Sequence, residues 1–165
     1  SGLHGDEVEI LTQAAPMHDV GKIAIPDAIL GKPGLLTPEE REVMKRHTVV
    51  GREILGSSKR PLLRAASVIA HEHHERWDGK GYPRGISGTE ISVSGRIVAV
   101  CDVFDALYNK RVYKEAWPLD KVLELFRKDS GTAFEPELVD ILFSRLDEFL
   151  DVSRRYADVI ETPVA

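Results

Sequence analysis

The chain is predicted to be all-α, a bundle of roughly six or seven helices. Apolar residues recur at helical spacing along most of it, and no convincing amphipathic strand pair appears. Proline stands where helices begin, at Pro38, Pro61, Pro118 and Pro136. Short Gly-, Pro- and Ser-rich stretches separate the periodic segments, with no repeat or low-complexity tract.

The elements follow in order. Asp6 to Met17 carries Val8, Ile10, Leu11, Ala14, Ala15 and Met17 on a helical face, and Pro16 predicts a kink or break just before His18. Pro26 to Leu36 holds Gly31, Pro33 and Gly34, so it reads as a loop with at most one short turn. Thr37-Pro38-Glu39-Glu40 is a capping box with proline at the first helical position, and Gly56-Ser57-Ser58 ends the helix that carries His47. Pro61 to about Glu75 should be the next helix, with Leu62, Leu63, Ala66, Ile69 and Ala70 inward and His73 and His74 near its end. Asp78 to Gly88 contains four glycines and a proline and reads as a loop. Val93 to Tyr108 is apolar apart from Ser94, Arg96, Asp102 and Asp105, and its length favours a buried helix over a strand. Pro118 to Lys128, and Pro136 to about Phe149 or beyond, complete the bundle.

The bulk numbers narrow the function. A chain of 165 residues with 42% hydrophobic and 30% charged residues suits one globular domain, 1–165, with a sizeable core. Its apolar runs are shorter than the roughly 18 residues of a membrane span. Ser1 to Glu9 has neither the basic start nor the apolar stretch of a signal peptide. Cys101 is the single cysteine, which excludes an intrachain disulfide framework and fits the expected cytoplasmic location. A net charge of −5 argues against nonspecific binding of polymeric nucleic acid. It leaves room for a small anionic ligand held by metals and a local basic patch.

The chemistry concentrates in His18-Asp19, His47, His73-His74 and Asp102, which hold four of the six histidines. Imidazoles and carboxylates in such a set suit zinc, iron or manganese, and a site of this kind can activate water for hydrolysis. Asp102 sits in the apolar run Ile97-Val98-Ala99-Val100-Cys101, where a carboxylate needs a metal, a charged partner such as Arg96, or a face open to solvent. The metal alternative is favoured by the other ligand types. Adjacent residues on a helix diverge by about 100°, so His73 and His74 should serve two metals, or one metal and a hydrogen bond. Asp105 could hold a ligand histidine from behind. His71 reads as a surface or supporting histidine, His4 as solvated, and Cys101 as buried packing. Asp19 could bridge two cations, and Lys22 could neutralise a phosphate oxygen. Gly79 and Gly81 permit positive φ or close backbone approach, and Tyr82 offers an aromatic face on which a nucleobase can stack. Lys110-Arg111-Val112-Tyr113-Lys114 is a candidate phosphate-binding patch, with a solvated basic loop as the alternative.

His18-Asp19-Val20-Gly21-Lys22, the string His73-His74-Glu75-Arg76-Trp77-Asp78-Gly79-Lys80-Gly81-Tyr82-Pro83, and Asp102-Val103-Phe104-Asp105-Ala106-Leu107 together resemble the HD-GYP phosphodiesterases. These are a bacterial branch of the HD metal-dependent phosphohydrolases. The resemblance extends from about Val8 to Ile141 and implies an HD-type helical bundle that hydrolyses cyclic di-GMP to linear pGpG or GMP. It implies two or three divalent metals, iron or manganese, held by His18, Asp19, His47, His73, His74 and Asp102, with Asp19 bridging. Asp19 and Lys22 would be the catalytic pair. Lys22, Gly81, Tyr82, Pro83, Arg111 and Lys114 would contact the dinucleotide. The family also places a helix with a further metal ligand before the His-Asp motif. The expectation is therefore a domain lacking its N-terminal helix or helices, with a receiver or sensor domain upstream. A diguanylate cyclase is the implied protein partner. Two alternatives differ in kind: a weakly active or inactive module that senses cyclic di-GMP or docks a protein, and a phosphohydrolase acting on a nucleoside mono- or triphosphate.

Overall fold

In the computed structural model the described residues are 3–109 and 116–155. Among them are eight α-helices and no strand: α1 (Asp6–Ala14), α2 (Asp27–Leu30), α3 (Pro38–Gly56), α4 (Pro61–Glu72), α5 (Val93–Tyr108), α6 (Leu119–Asp129), α7 (Pro136–Ser144) and α8 (Leu146–Arg155). Three 3₁₀ turns join them, at Ala15–Met17, Val20–Ala24 and Gly88–Glu90. No helix among the described residues is long and apolar enough to cross a membrane.

The start of α3 follows from local chemistry. The Thr37 hydroxyl accepts from the Glu40 N–H at 3.2 Å, and the Glu40 carboxylate accepts from the Thr37 N–H at 2.7 Å. Both bonds satisfy donors that a helix start leaves open. At the other end of the chain the expected single last helix is two. It breaks at Arg145, where φ is −119° and ψ is 23°. The break lets Leu142 bury completely while Phe149 meets Phe104 edge-on, with ring centroids 5.7 Å apart.

Two cores share one helix. In the first, Ala14 of α1, Leu55 of α3 and Ala66, Ile69 and Ala70 of α4 pack with Val98. The second joins Val100, Phe104 and Leu107 to Val122 and Phe126 of α6 and to Leu138, Val139 and Leu142 of α7. α5 supplies residues to both, which is why its sequence is apolar nearly all round. Arg96 ties α5 to the start of α7 through a 2.6 Å bond to Glu135, and its Nε donates to the Ile91 carbonyl at 3.0 Å. The functional side chains come from the turn after α1, the middle of α3, the end of α4 and the middle of α5.

Candidate metal centre

Proline within the α1 pattern ends the helix at Ala14 and starts a 3₁₀ turn, which delivers His18 and then Asp19 at the head of the next turn. Gly21 lets that turn lie directly on α3. A Cβ at this position would fall 1.9 Å from the His47 carbonyl oxygen and 2.5 Å from the Gly51 nitrogen. Only glycine permits this approach, which brings Asp19 against His47.

α4 stops earlier than its pattern suggests. It ends at Glu72 with His73 as the cap, so His74 already lies beyond the helix. Gly81 backs onto this segment, where a Cβ would meet the Arg76 nitrogen at 2.4 Å and the His74 oxygen at 2.6 Å. His73 keeps helical angles, φ −63° and ψ −13°, yet the expected divergence does not keep the rings of His73 and His74 apart. Their ring centroids are 4.0 Å apart, and ring nitrogens of His47, His73 and His74 all lie within 4.8 Å of one another.

The histidine tautomers are set by the main chain. Nδ1 of His18 is 2.8 Å from the Ala15 oxygen, and Nδ1 of His47 is 2.7 Å from the Met44 oxygen. His73 Nδ1 is 3.1 Å from both the Ile69 and Ala70 oxygens. A carbonyl only accepts, so each Nδ1 carries the proton; His47 and His73, neutral, then present an Nε2 lone pair, while His18 Nε2 faces Asp19 Oδ2 and donates to it when protonated. The Nε2 atoms of His47 and His73 face each other at 3.3 Å. Two lone pairs cannot bond to one another, but they can share a cation.

Asp19 connects this group to a second one. Its Oδ1 lies 3.4 Å from His47 Nε2 and 3.8 Å from His73 Nε2. Its Oδ2 lies 3.4 Å from His18 Nε2, which is itself 3.7 Å from Asp102 Oδ1. Asp19 Oδ1 is buried without a hydrogen-bond donor, an arrangement that is costly for a carboxylate unless a cation meets it. These residues fit divalent metal. Lys22 donates to Asp19 Oδ2.

The electrostatics agree with the geometry. Burial pushes the His73 pKa down to about 4, helped by His18 and His47. Burial likewise lowers His47, and lowers His74 further with help from His73 and His47. All three are neutral at neutral pH, the form in which an imidazole can bind a metal. Burial alone would raise Asp19, but hydrogen bonds from His18 and Lys22 and their charges override it and hold the carboxyl well below the usual range. The bond to Asp19 raises His18 against its burial.

The Tyr82 ring stacks on His74 with centroids 4.8 Å apart, and the Lys45 ammonium lies 5.4 Å from the Tyr82 centroid. The Tyr82-Pro83 bond is cis. Tyr82 and Pro83 are half-buried, whereas Gly81 faces the backbone it packs on. Arg111 and Lys114 lie outside the described residues.

Several supporting roles differ from expectation. Main-chain carbonyls, not Asp105, hold the Nδ1 atoms of His18, His47 and His73; Asp105 is exposed and accepts from Asn109 at 2.7 Å. His71 is buried rather than at the surface, with Nδ1 3.2 Å from Arg52 Nη1. Cys101 is exposed, not buried, and lines a cleft with Phe104, Phe149 and Val152. Sequence reasoning missed Gly21 as a packing requirement, and it missed Glu72, Glu75 and Arg84. The spacing of Gly21 and Lys22 after the His-Asp pair was the available signal for the first; nothing local distinguished the others.

A helical bundle that gathers His-Asp, three further histidines and a helix-borne aspartate around one carboxylate has the architecture of an HD-type metal domain. The chain belongs to the HD domain family, whose model matches residues 3–138. It is 51% identical over 145 residues to a cyclic di-GMP phosphodiesterase of Thermotoga maritima, covering 88% of this chain and 39% of that protein. It is 46% identical over 157 residues to 3′3′-cGAMP-specific phosphodiesterase 2 of Vibrio cholerae, covering 95% of this chain and 30% of the relative. A cyclic di-GMP phosphodiesterase response regulator of Xanthomonas campestris is 51% identical over 141 residues, 86% of this chain and 37% of that one. The chain thus spans between 30% and 39% of the length of these relatives. The crystal structure of a cyclic GMP-AMP-specific phosphodiesterase of V. cholerae shares the fold, with a TM-score of 0.61 at 19% identity over 93% of this chain and 44% of that one.

Proposed function

We propose that the domain is a metal-dependent phosphodiesterase of cyclic dinucleotides, cyclic di-GMP first, yielding linear pGpG or GMP. One observation carries this reading: the two oxygens of Asp19 face two different ligand groups. On one side are His47 and His73, with His74 in the same cluster. On the other is His18, backed by Asp102. These residues would hold two divalent metals, iron or manganese, with Asp19 between them. When bound, such metals supply Lewis acidity toward phosphoryl oxygens and a water acidic enough to lose its proton at neutral pH.

The reaction class is in-line displacement at a phosphodiester, in which water replaces the ribose 3′-oxygen. Asp19 is held ionised, so it serves as a permanent anion in the site. Lys22, beside its outer oxygen, is placed to turn its ammonium toward a phosphate and offset charge that develops there. Tyr82, braced on His74, offers one face to a guanine, with Gly81 and Pro83 shaping the loop. Arg111 and Lys114 would add charge for the second phosphate or base. A relative specific for 3′3′-cGAMP makes that dinucleotide the competing substrate. A cytoplasmic location, an upstream receiver or sensor domain and a diguanylate cyclase partner complete the proposal.

The test is anaerobic hydrolysis with added iron(II) or manganese(II), followed by chromatography, offering cyclic di-GMP and 3′3′-cGAMP in parallel. Faster turnover of cyclic di-GMP supports the proposal. Faster turnover of 3′3′-cGAMP reassigns the substrate, and tight binding with no turnover of either favours a sensing or docking module.

A further inference from the structure

Glu72 closes α4 one residue before the histidine pair and is buried. Its carboxylate holds two other segments. One oxygen accepts from the Arg84 guanidinium, and the other accepts from the Ser92 N–H at 2.8 Å. Gly95 sits so near that a Cβ there would lie 2.8 Å from the Glu72 Cβ. The end of α4 is thereby tied to the start of α5 and to the loop between them.

Arg84 is fixed a second time, since its N–H donates to Glu75 Oε1 at 2.7 Å. Two residues earlier, the Tyr82 N–H donates to the His74 carbonyl at 3.2 Å and its ring stacks on the His74 imidazole. The other limb of the loop is anchored elsewhere, through Trp77 N–H to Ala133 and Asp78 N–H to Thr132 at 3.1 and 2.8 Å. The limb carrying Tyr82 is held at Tyr82 by the His74 carbonyl and two residues on at Arg84, by its main chain to Glu75 and by its side chain to Glu72. The Arg84 side chain is 41% exposed and that of Glu72 9%, so the ion pair forms at the rim of a buried carboxylate rather than in open water. A carboxylate this buried is destabilising once its partner is removed.

We infer that Glu72, acting through Arg84, is a positioning residue that sets where Tyr82 stands over His74 and so where a nucleobase stacks beside the metal ligands. The substrate part of this inference rests on the phosphodiesterase reading. The loop geometry does not.

The experiment compares Glu72→Gln, Arg84→Ala and Arg84→Lys with the unaltered protein. Glutamine keeps the shape and the Ser92 bond while removing the charge, and Arg84 is exposed enough for its variants to fold. Misplacing the stacking face should raise KM for cyclic di-GMP by about tenfold in Glu72→Gln and Arg84→Ala, with kcat and metal content within about twofold. Arg84→Lys should recover most of the loss. Hydrogen exchange at the Tyr82 amide should quicken in the first two variants, while the Phe126 amide in α6 stays protected. Unchanged Tyr82 exchange in both variants overturns the inference. So does a KM effect in Arg84→Ala with none in Glu72→Gln, because Arg84 would then act on substrate directly. Failure of the unaltered protein to turn over cyclic dinucleotides would strike the functional reading alone, and the exchange arm would still decide the positioning role.

Discussion

His47 and His73 point their Nε2 atoms at each other across 3.3 Å, each ring clamped from behind by a carbonyl of its own helix. Neither ring can turn away without losing a buried hydrogen bond. The proposed metal site would thus be built into α3 and α4, with these two candidate ligands already oriented toward one point.

Among the described residues Asp19 faces both candidate ligand groups, so Asp19→Asn should affect both. Partners that merely orient a ligand are worth 10- to 100-fold, so loss of the shared ligand should lower turnover by about 100-fold or more. Elemental analysis of the purified variant should show metal lost along with activity.

Acid should weaken the metal-free protein. The folded pKa of His73 is about 4 against an ordinary value of 6.5, with His47 and His74 also lowered. Between these values the unfolded chain binds protons that the folded chain does not, so stability is full above 6.5 and falls as pH drops toward 4. Asp19, also lowered, adds a loss at still lower pH. His18 is raised and acts the other way, its contribution fading as pH rises through its folded value. With His71, which burial also lowers, four groups oppose one in this window. With chelator present, the urea midpoint should be lower at about pH 4.5 than at about pH 7.

Gly21→Ala should destabilise by about 1–3 kcal/mol or more, because the new methyl meets fixed backbone of α3. Gly51→Ala should be milder, since its nearest contact would be the Ala70 Cβ at 3.1 Å, with the Gly21 nitrogen and Val20 Cγ1 at ordinary distances of 3.5 and 3.7 Å. Urea unfolding of the two variants ranks them, and metal affinity should fall more in the first.

Thr37→Ala removes half of the capping box and should destabilise by about 1 kcal/mol. The cap is remote from His47 along α3, so metal content should not change. Thermal unfolding alongside metal analysis checks both statements.

The sequence was most legible where a local rule decides. The Thr37–Glu40 cap, the break at Pro16 and the amphipathic faces of α1, α3, α4 and α6 follow from neighbours a few residues apart. The sequence also marked out His18, Asp19, His47, His73 and His74, which the fold brings together. What escaped depends on distant contacts. Helical geometry predicted that His73 and His74 diverge, but Gly81 packs on the chain just after α4, and the two rings share one cluster. A carboxylate seemed the natural support for a ligand histidine, yet carbonyls do that work because each ring folds back onto its own turn. The break at Arg145 has no proline or glycine to announce it and follows from packing Phe149 on Phe104.

The central claim is a metal centre that Asp19 shares and that hydrolyses a cyclic dinucleotide. Its most direct test measures metal per chain and cyclic di-GMP turnover in the same anaerobic samples of the unaltered protein, His73→Ala and Asp19→Ala. Bound metal and turnover are expected in the unaltered protein, with both sharply reduced in each variant. Metal content and turnover left intact by His73→Ala and Asp19→Ala would contradict it.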